Sequence, residues 1–134
     1  MPLIANAAYF GTTGKLEVGT DEYTTSVTSC ALVPNTPKAQ TTDIGGGVTS
    51  FVGAAQWSAQ ITFKQDWSTA NSLSQQLIAW HGTPKIFKYT PNAGGKVVTF
   101  TVIAEAAQVG GGANSIHEAT VTLQIVGQPT FAAS

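Results

Sequence analysis

The side-chain types most often used in catalysis or metal binding occur only three times in this sequence, as Cys30, His81 and His117. A zinc site made only of Cys and His needs four ligands, so these three cannot form one. A Ser-His-Asp triad assembles only in space, but no Gly-x-Ser-x-Gly nucleophile elbow occurs. We therefore expect His81 and His117 to cap a helix or lie on the surface, and Cys30 to be a buried core thiol.

The other candidate functional groups are pairs of carboxylates, which could act in acid–base catalysis, and a glycine-rich turn, which could bind phosphate. Residues 94–96 read Gly-Gly-Lys, but Val97 stands where a phosphate loop needs Ser or Thr, and no helix is expected to follow. A hairpin turn is the better interpretation. The carboxylates fall mostly in turns or on polar strand faces, which predicts structural or solvated roles: Glu17, Asp21, Glu22, Asp43, Asp66, Glu105 and Glu118. We expect no cofactor and no metal.

The elements that must position these side chains are short strands separated by turns, in a single domain over 1–134. Residues 56–64 and 118–126 alternate apolar and polar, which is typical of half-buried strands. Leu73, Leu77 and Trp80 recur at helical spacing and predict one helix of about three turns that packs on the outer face of a sheet. Further strands are expected at 7–10, 15–18, 25–33 (ended by Pro34), 85–89 and 96–104.

The connections complete this plan. Residues 35–50 are too long and polar for a hairpin turn, and loops of more than about 12 residues are usually functional or mobile. An N-terminal arm at 1–6 and an extension at 127–134 flank the domain. The sequence thus predicts a mostly-β fold, a β-sandwich or barrel with one flanking α-helix and a long extended loop.

Low charge is the most informative feature of the composition. Only 10% of the 134 residues are charged, all six basic residues are Lys, and the formal net charge is −1. Proteins that bind nucleic acids need clustered Lys and Arg to displace counterions, so this class is disfavoured. No apolar run approaches the 18 residues of a membrane span. A neutral surface rich in Thr, Ser, Gln and Gly costs little to desolvate, which favours self-association.

Three segments carry a family resemblance. Residues 3–9 (LIANAAY), 65–74 (QDWSTANSLS) and 119–130 (ATVTLQIVGQPT) resemble the tail tube, or major tail, proteins of long-tailed bacteriophages. The likeness extends in order over nearly the whole chain, from the N-terminal arm through the long loop, the strand at 56–64 with Trp57 and the helix to the final strand. That family has no catalytic residues, so the resemblance implies no enzyme.

The resemblance implies a structural protein of the virion tail, made in the host cytoplasm. Its copies would form hexameric rings around a closed β-barrel, and the rings would stack into a tube that conducts DNA without binding it specifically. Tape-measure and tail terminator proteins would be its partners, and no membrane is involved. The family's lumen is usually acidic, which the balanced charge here does not show.

Two other classes remain open on the sequence. One is a capsid decoration or baseplate-type β module, which would appear as monomers or trimers by electron microscopy. The other is a small β-barrel enzyme, which would need His81 or His117 beside a carboxylate in a concave pocket.

Two sets of residues are candidates for assembly. The long loop is predicted to contact a neighbouring ring through Thr41, Thr42, Asp43, Ile44, Gly45, Gly46 and Gly47. The polar sides of three strands are candidates to line the lumen, through Ser58, Gln60, Thr62, Thr99, Thr101, Thr120, Thr122 and Gln124. The alternative is that these polar sides face solvent on the outside of the protein.

Overall fold

The computed structural model describes residues 3–6, 8, 11, 13–92 and 95–133. Among them are one helix, α1 (Leu73–Ala79), and strands that we number in chain order: β1 (Lys15–Val18), β2 (Asp21–Glu22), β3 (Val27–Asn35), β4 (Lys38–Thr42), β5 (Val48–Val52), β6 (Gln56–Lys64), β7 (Pro84–Thr90), β8 (Lys96–Ile103), β9 (Glu118–Gln124) and β10 (Thr130–Ala133). The mostly-β fold class is confirmed. No described helix has the length and apolarity to cross a membrane.

Two antiparallel sheets face each other across the core. The larger sheet has the order β10-β8-β7-β1-β2, and the smaller has the order β3-β6-β9. In the described part of the chain an isolated bridge between Val102 and Ile125 links them at one corner, and the sheets do not close into a barrel. The sandwich alternative is therefore the one that the fold adopts.

The alternation in the sequence decides which face of each strand is buried. Ala59, Ile61 and Phe63 of β6 are buried beside the inward residues of β9, while the residues between them point away from the core. The larger sheet supplies Phe87 and Phe100, whose ring centroids lie 5.8 Å apart in a tilted pair. Because strand side chains alternate sides, each sheet contributes one apolar face to a single core.

The helix closes this core, which differs from the expectation that it would lie on the outer face of a sheet. Leu73 and Leu77 are buried in the same cluster as the inward residues of both sheets, and Trp80 packs against that cluster. The helix has seven residues rather than three turns. Ser72 precedes it but makes no capping bond, since its hydroxyl donates to the Asp66 carbonyl at 2.6 Å.

Three other elements differ from the sequence prediction. Strand β3 continues through Pro34 to Asn35, because β3 is an edge strand and the missing N–H faces away from the ladder. Residues 35–50, expected as a loop, mostly form the hairpin of β4 and β5. Residues 130–133 form β10 rather than an unpaired tail. Strand β1 pairs with β2 and β7, and the predicted strand 7–10 includes residues outside the described ones.

The helix face gives a test of the core. Leu77 is 1% exposed, whereas its neighbour Ile78 is 47% exposed. Leu77→Ala should lower the free energy of unfolding by about 2–5 kcal/mol, because it leaves a cavity. Ile78→Ala should cost less than about 1 kcal/mol. Urea denaturation of unassembled protein measures both, and equal losses would contradict the observed orientation of the helix.

Candidate functional site

The histidines have structural partners. His81 follows the helix, and its Nδ1 accepts a hydrogen bond from the Ala106 N–H at 3.0 Å. The Nε2 of His117 lies 3.1 Å from the Gly112 carbonyl oxygen, within the glycine-rich loop. Among the described residues, no three His, Cys, Asp or Glu side chains lie close enough together to hold a metal. The pairing of a histidine with a carboxylate that an enzyme hypothesis requires is not found in this part of the chain.

Cys30 is half-buried on β3 and packs against the core. Burial raises the pKa of its thiol to about 12. A thiol is nucleophilic only as the thiolate, so this environment makes Cys30 an unreactive packing residue.

Six of the residues proposed for the lumen lie together on one surface. The register of β6 with β9 places Ser58 opposite Gln124, Gln60 opposite Thr122, and Thr62 opposite Thr120. The Thr62 and Thr120 hydroxyl oxygens are 3.0 Å apart and share a hydrogen bond. Their strand neighbours are buried, so all six lie on the outer face of the smaller sheet.

Strand β3 adds three residues to this surface that the sequence analysis missed. Ser29, Ala31 and Val33 lie opposite Thr62, Gln60 and Ser58 respectively. We call the nine together the polar face: Ser29, Ala31, Val33, Ser58, Gln60, Thr62, Thr120, Thr122 and Gln124. None of them is charged, and the opposed Lys64 and Glu118 stand at one end of the face. The irregular alternation of β3, which has a bulge between Val27 and Ser29, hid this contribution.

Thr99 and Thr101 do not belong to the polar face. They lie on β8 in the larger sheet, opposite Lys88 and Ile86. Their neighbours Phe100 and Val102 are buried in the core, so the two threonines point to the other side of the sandwich. If the polar face lines a lumen, Thr99 and Thr101 therefore face away from it.

Charge is also divided between the two sides. The outer face of the larger sheet carries Glu17 opposite both Glu22 and Lys88, and Lys15 lies 3.2 Å from Glu17. The outer face of the larger sheet, which carries these charges, is suited to contact with bulk water. The polar face on the smaller sheet carries no charged side chain.

A second surface is the hairpin of β4 and β5, which we call the arm (residues 38–52). All residues of its two strands are exposed. Its apolar side chains are uncovered, since Ile44 is fully exposed and Val52 is 70% exposed, and Val48 and Phe51 are also exposed. Isolated two-stranded hairpins are marginally stable in water, so an arm of this kind is suited to being covered by a partner.

The tip of the arm is a turn held by hydrogen bonds. The Asp43 N–H donates to the Gly47 carbonyl at 2.8 Å, and the Gly47 N–H donates to the Asp43 carboxylate at 2.8 Å. Gly46 has a φ of +87°, a conformation that favours glycine. A Cβ at Gly47 would lie 2.5 Å from an Asp43 carboxylate oxygen, so a larger residue there would displace this side chain from its bond to the Gly47 N–H. These bonds hold Ile44 outward at the end of the arm.

The base of the arm is fixed to the domain. The Gly53 N–H donates to the Pro37 carbonyl at 2.8 Å, which continues the ladder between the arm and the smaller sheet. The Gln128 side chain then bridges two groups nearby, because its Oε1 accepts from the Trp57 indole at 2.8 Å and its Nε2 donates to the Ala55 carbonyl at 3.0 Å. The arm therefore projects from the strand ends at a defined place.

This fold is found in components of tails and related injection machines. The chain superimposes with a TM-score of 0.68 on a chain of the virion of a native gene transfer agent particle, at 16% identity over 94% of this chain and 100% of that one. It also matches a chain in the tail of an empty gene transfer agent particle, computed with C6 symmetry, with a TM-score of 0.61 and 17% identity over 90% and 95% of the two chains.

A third similar chain belongs to an extracellular contractile injection system, the PVC sheath/tube terminator in its extended state. Its TM-score is 0.61, at 16% identity over 97% of this chain and 100% of that one. The sequence matches no protein-family model and no curated protein. The likeness is one of fold, and it spans nearly the full length of these three chains.

The environment of Cys30 gives a prediction for its reactivity. With a thiol pKa raised from 9.0 to about 12, the thiolate fraction at pH 8 is about a thousandfold lower than in the unfolded chain. Ellman's reagent should therefore label native protein at least about tenfold more slowly than protein in urea, because the greater nucleophilicity of a high-pKa thiolate offsets only part of the drop in thiolate fraction, and the native rate should rise with pH up to about 12. Equal rates at pH 8 would show that Cys30 is open to solvent.

Proposed function

We propose that this chain is a structural subunit of a virion tail, and specifically that it forms hexameric rings that stack into a tail tube. The observation that carries the proposal is the polar face, an uncharged outer sheet surface on the opposite side of the sandwich from the charged sheet. Supporting it are the shared fold with tail and virion components, one of them in a C6-symmetric tail, and the resemblance of three sequence segments to tail tube proteins.

The edges of the smaller sheet provide a way to form the ring. Within the described residues, β3 and β9 each form a full ladder on one side only, with β6 between them. Exposed edges invite pairing with another chain, and closure of a sheet around an axis removes them. Copies placed edge to edge would join their three-stranded sheets into one wall with the polar faces on its inner side.

An uncharged wall is suited to the passage of DNA. Lys and Arg on the wall would neutralise phosphates and release counterions, which creates affinity and slows movement. Hydroxyl and amide groups hold water at the surface without such contacts. The DNA then passes without specific binding, and the charged face of the larger sheet lies on the outside of the tube.

The arm supplies the contact between rings. It leaves the domain at the ends of β3 and β6, and its tip comprises the residues already proposed for this contact, 43–47, with Thr41 and Thr42 at the end of β4. A heterologous contact of this kind joins one surface of a copy to a different surface of the next, so it generates an open stack. Tape-measure and tail terminator proteins would act at the inside and the end of such a stack.

Electron microscopy of the purified protein tests the assembly directly. We expect rings with six-fold symmetry, and tubes at high protein concentration. Monomers or trimers under all conditions would contradict the proposal and favour a decoration or baseplate-type module.

Removal of the arm should separate ring formation from stacking. Residues 38–52 can be replaced by Asn-Gly between Pro37 and Gly53, which already share a backbone hydrogen bond. The shortened protein should keep its thermal stability and form rings, but it should form no tubes. The variant Ser50→Thr keeps the arm, lies outside the residues proposed for the contact and should assemble normally. Tubes of normal length without the arm would show that it has no part in stacking.

A lysine on the polar face should slow DNA transfer. Gln60→Lys and Gln124→Lys each add a phosphate contact at the wall and make DNA release more sensitive to salt. We expect normal tubes and slower DNA release from particles that carry either variant. Thr99→Lys, on the opposite side of the sandwich, is the matched control and should release DNA at the normal rate. If all three variants release DNA at the normal rate, the polar face does not line the lumen and faces outer solvent instead.

A further inference from the structure

The smaller sheet carries two charged side chains, and they lie opposite each other. Among all residues of β3, β6 and β9, only Lys64 and Glu118 are charged. The antiparallel register of β6 with β9 pairs these two residues directly. Because strand side chains alternate, both are on the side of their strands that forms the polar face, and both are exposed. An otherwise uncharged surface therefore has one cation and one anion at the same register position.

Hydrogen bonds hold the backbone at this end of the sheet. The Lys64 N–H donates to the Ser26 carbonyl at 2.8 Å, and the Gln65 N–H donates to the His117 carbonyl at 2.8 Å. The Gln65 side chain also donates to the Glu118 carbonyl at 3.1 Å. Directly opposed residues of an antiparallel pair have Cβ atoms about 4.5–5.5 Å apart. The lysine and the carboxylate therefore leave the sheet side by side.

The other carboxylate close to this pair in sequence is occupied by its own turn. The Asp66 carboxylate accepts hydrogen bonds from the Ser68 N–H at 2.9 Å and from the Thr69 N–H at 3.1 Å. These bonds are made within the turn that follows β6, away from the β6–β9 ladder. Glu118 is therefore the carboxylate that the sheet register sets opposite Lys64.

We propose, on the basis of the proposed function, that Glu118 neutralises Lys64 at the lumen wall and so prevents DNA from binding there. An isolated lysine on the wall would contact a phosphate and release counterions. A carboxylate beside it attracts the ammonium group and repels the phosphate. Lys64 is the lysine of the smaller sheet, and the others lie on the larger sheet or the arm: Lys15, Lys38, Lys85, Lys88 and Lys96.

Edge-to-edge joining of copies would repeat this pair around the ring. Strand β3 carries no charge, so the next charge along the wall after Glu118 is the lysine of the neighbouring copy. Two strand spacings separate them, which is about 10 Å, whereas Glu118 is one spacing of about 5 Å from its own lysine. The Debye length is about 8 Å at physiological salt, so each carboxylate acts mainly on the lysine of its own chain.

Removal of the carboxylate tests the proposal. Glu118→Gln keeps the size of the side chain and leaves the lysine charge uncompensated. DNA release from particles that carry this variant should be slower than from wild-type particles. The slowing should be larger at low salt, since each new phosphate contact weakens about 3.5-fold between about 50 and 200 mM. The double variant Lys64→Gln/Glu118→Gln removes the lysine as well and should restore the normal rate.

Glu17→Gln is the matched control. Glu17 also lies opposite a lysine, Lys88, but on the outer face of the larger sheet, so this variant makes the same change of charge on the other side of the sandwich. It should release DNA at the normal rate at both salt concentrations. The thermal stability of the Glu118→Gln protein should stay close to that of the wild type, because exposed ion pairs contribute little to stability.

The remaining outcomes separate this proposal from the proposed function. Normal release with Glu118→Gln, together with slow release with Gln60→Lys, would overturn the neutralisation and leave the polar face at the lumen. Slow release that the double variant does not restore, or equal slowing by Glu17→Gln, would also overturn it, because the lysine at the wall would not be the cause. Wild-type protein that forms neither rings nor tubes would overturn both proposals.

Discussion

The structure depends on the position of β6 as the central strand of the smaller sheet. It is paired along its length by β3 on one side and β9 on the other, so it has no free edge. Its alternate residues Ala59, Ile61 and Phe63 are 0–1% exposed, while Ser58, Gln60 and Thr62 lie on the other side. A shift of the register by one residue would exchange these two sets, burying hydroxyls and amides and exposing the core. The core and the polar face are thus two consequences of one pairing.

The same strands also produce the arm. Beyond the Asn35–Gln56 pair, two residues of one strand oppose three of the other before pairing resumes at Lys38 and Val52. An unequal count of this kind is the feature of a β-bulge, which bends a ribbon and increases its twist. The Pro37–Gly53 hydrogen bond and the Gln128 bridge hold this junction. A rigid base lets the domain place a distant tip, so folding of the sheet and orientation of the arm are linked.

The parts of the fold that follow a local period could be predicted from the sequence. The alternation in β6 and β9, and the helical spacing of Leu73 and Leu77, gave the correct elements and buried faces. Pro34 misled, because a proline ends a strand only where its N–H would be needed, and whether β3 is an edge strand depends on tertiary structure. The sequence predicts a loop where the arm lies because its residues are polar and glycine-rich, and because its two strands pair with each other without packing on a core.

Contacts between distant segments could not be predicted in this way. Gln65 bonds to the Gly110 N–H and carbonyl, and to the Glu118 carbonyl, so it fixes the glycine-rich loop to β9. Nothing in the sequence around Gln65 indicates these partners. The placement of Thr99 and Thr101 on the other side of the sandwich has the same cause: periodicity shows that a strand has a polar side, and sheet order decides where that side points.

The two ends of the domain differ from each other, and this difference affects how copies can assemble. The two ends of β3 carry different surfaces, the arm with exposed apolar residues at one end and a cleft lined by both polar and apolar residues at the other. If the arm of one copy contacts a different surface of the next copy, subunits add in one direction and one unfilled surface is left at each end of a stack. A chain with so few charges has little electrostatic repulsion to oppose such addition. Length must then be set by something other than the subunit, because every added copy presents the same free surface as the one before it.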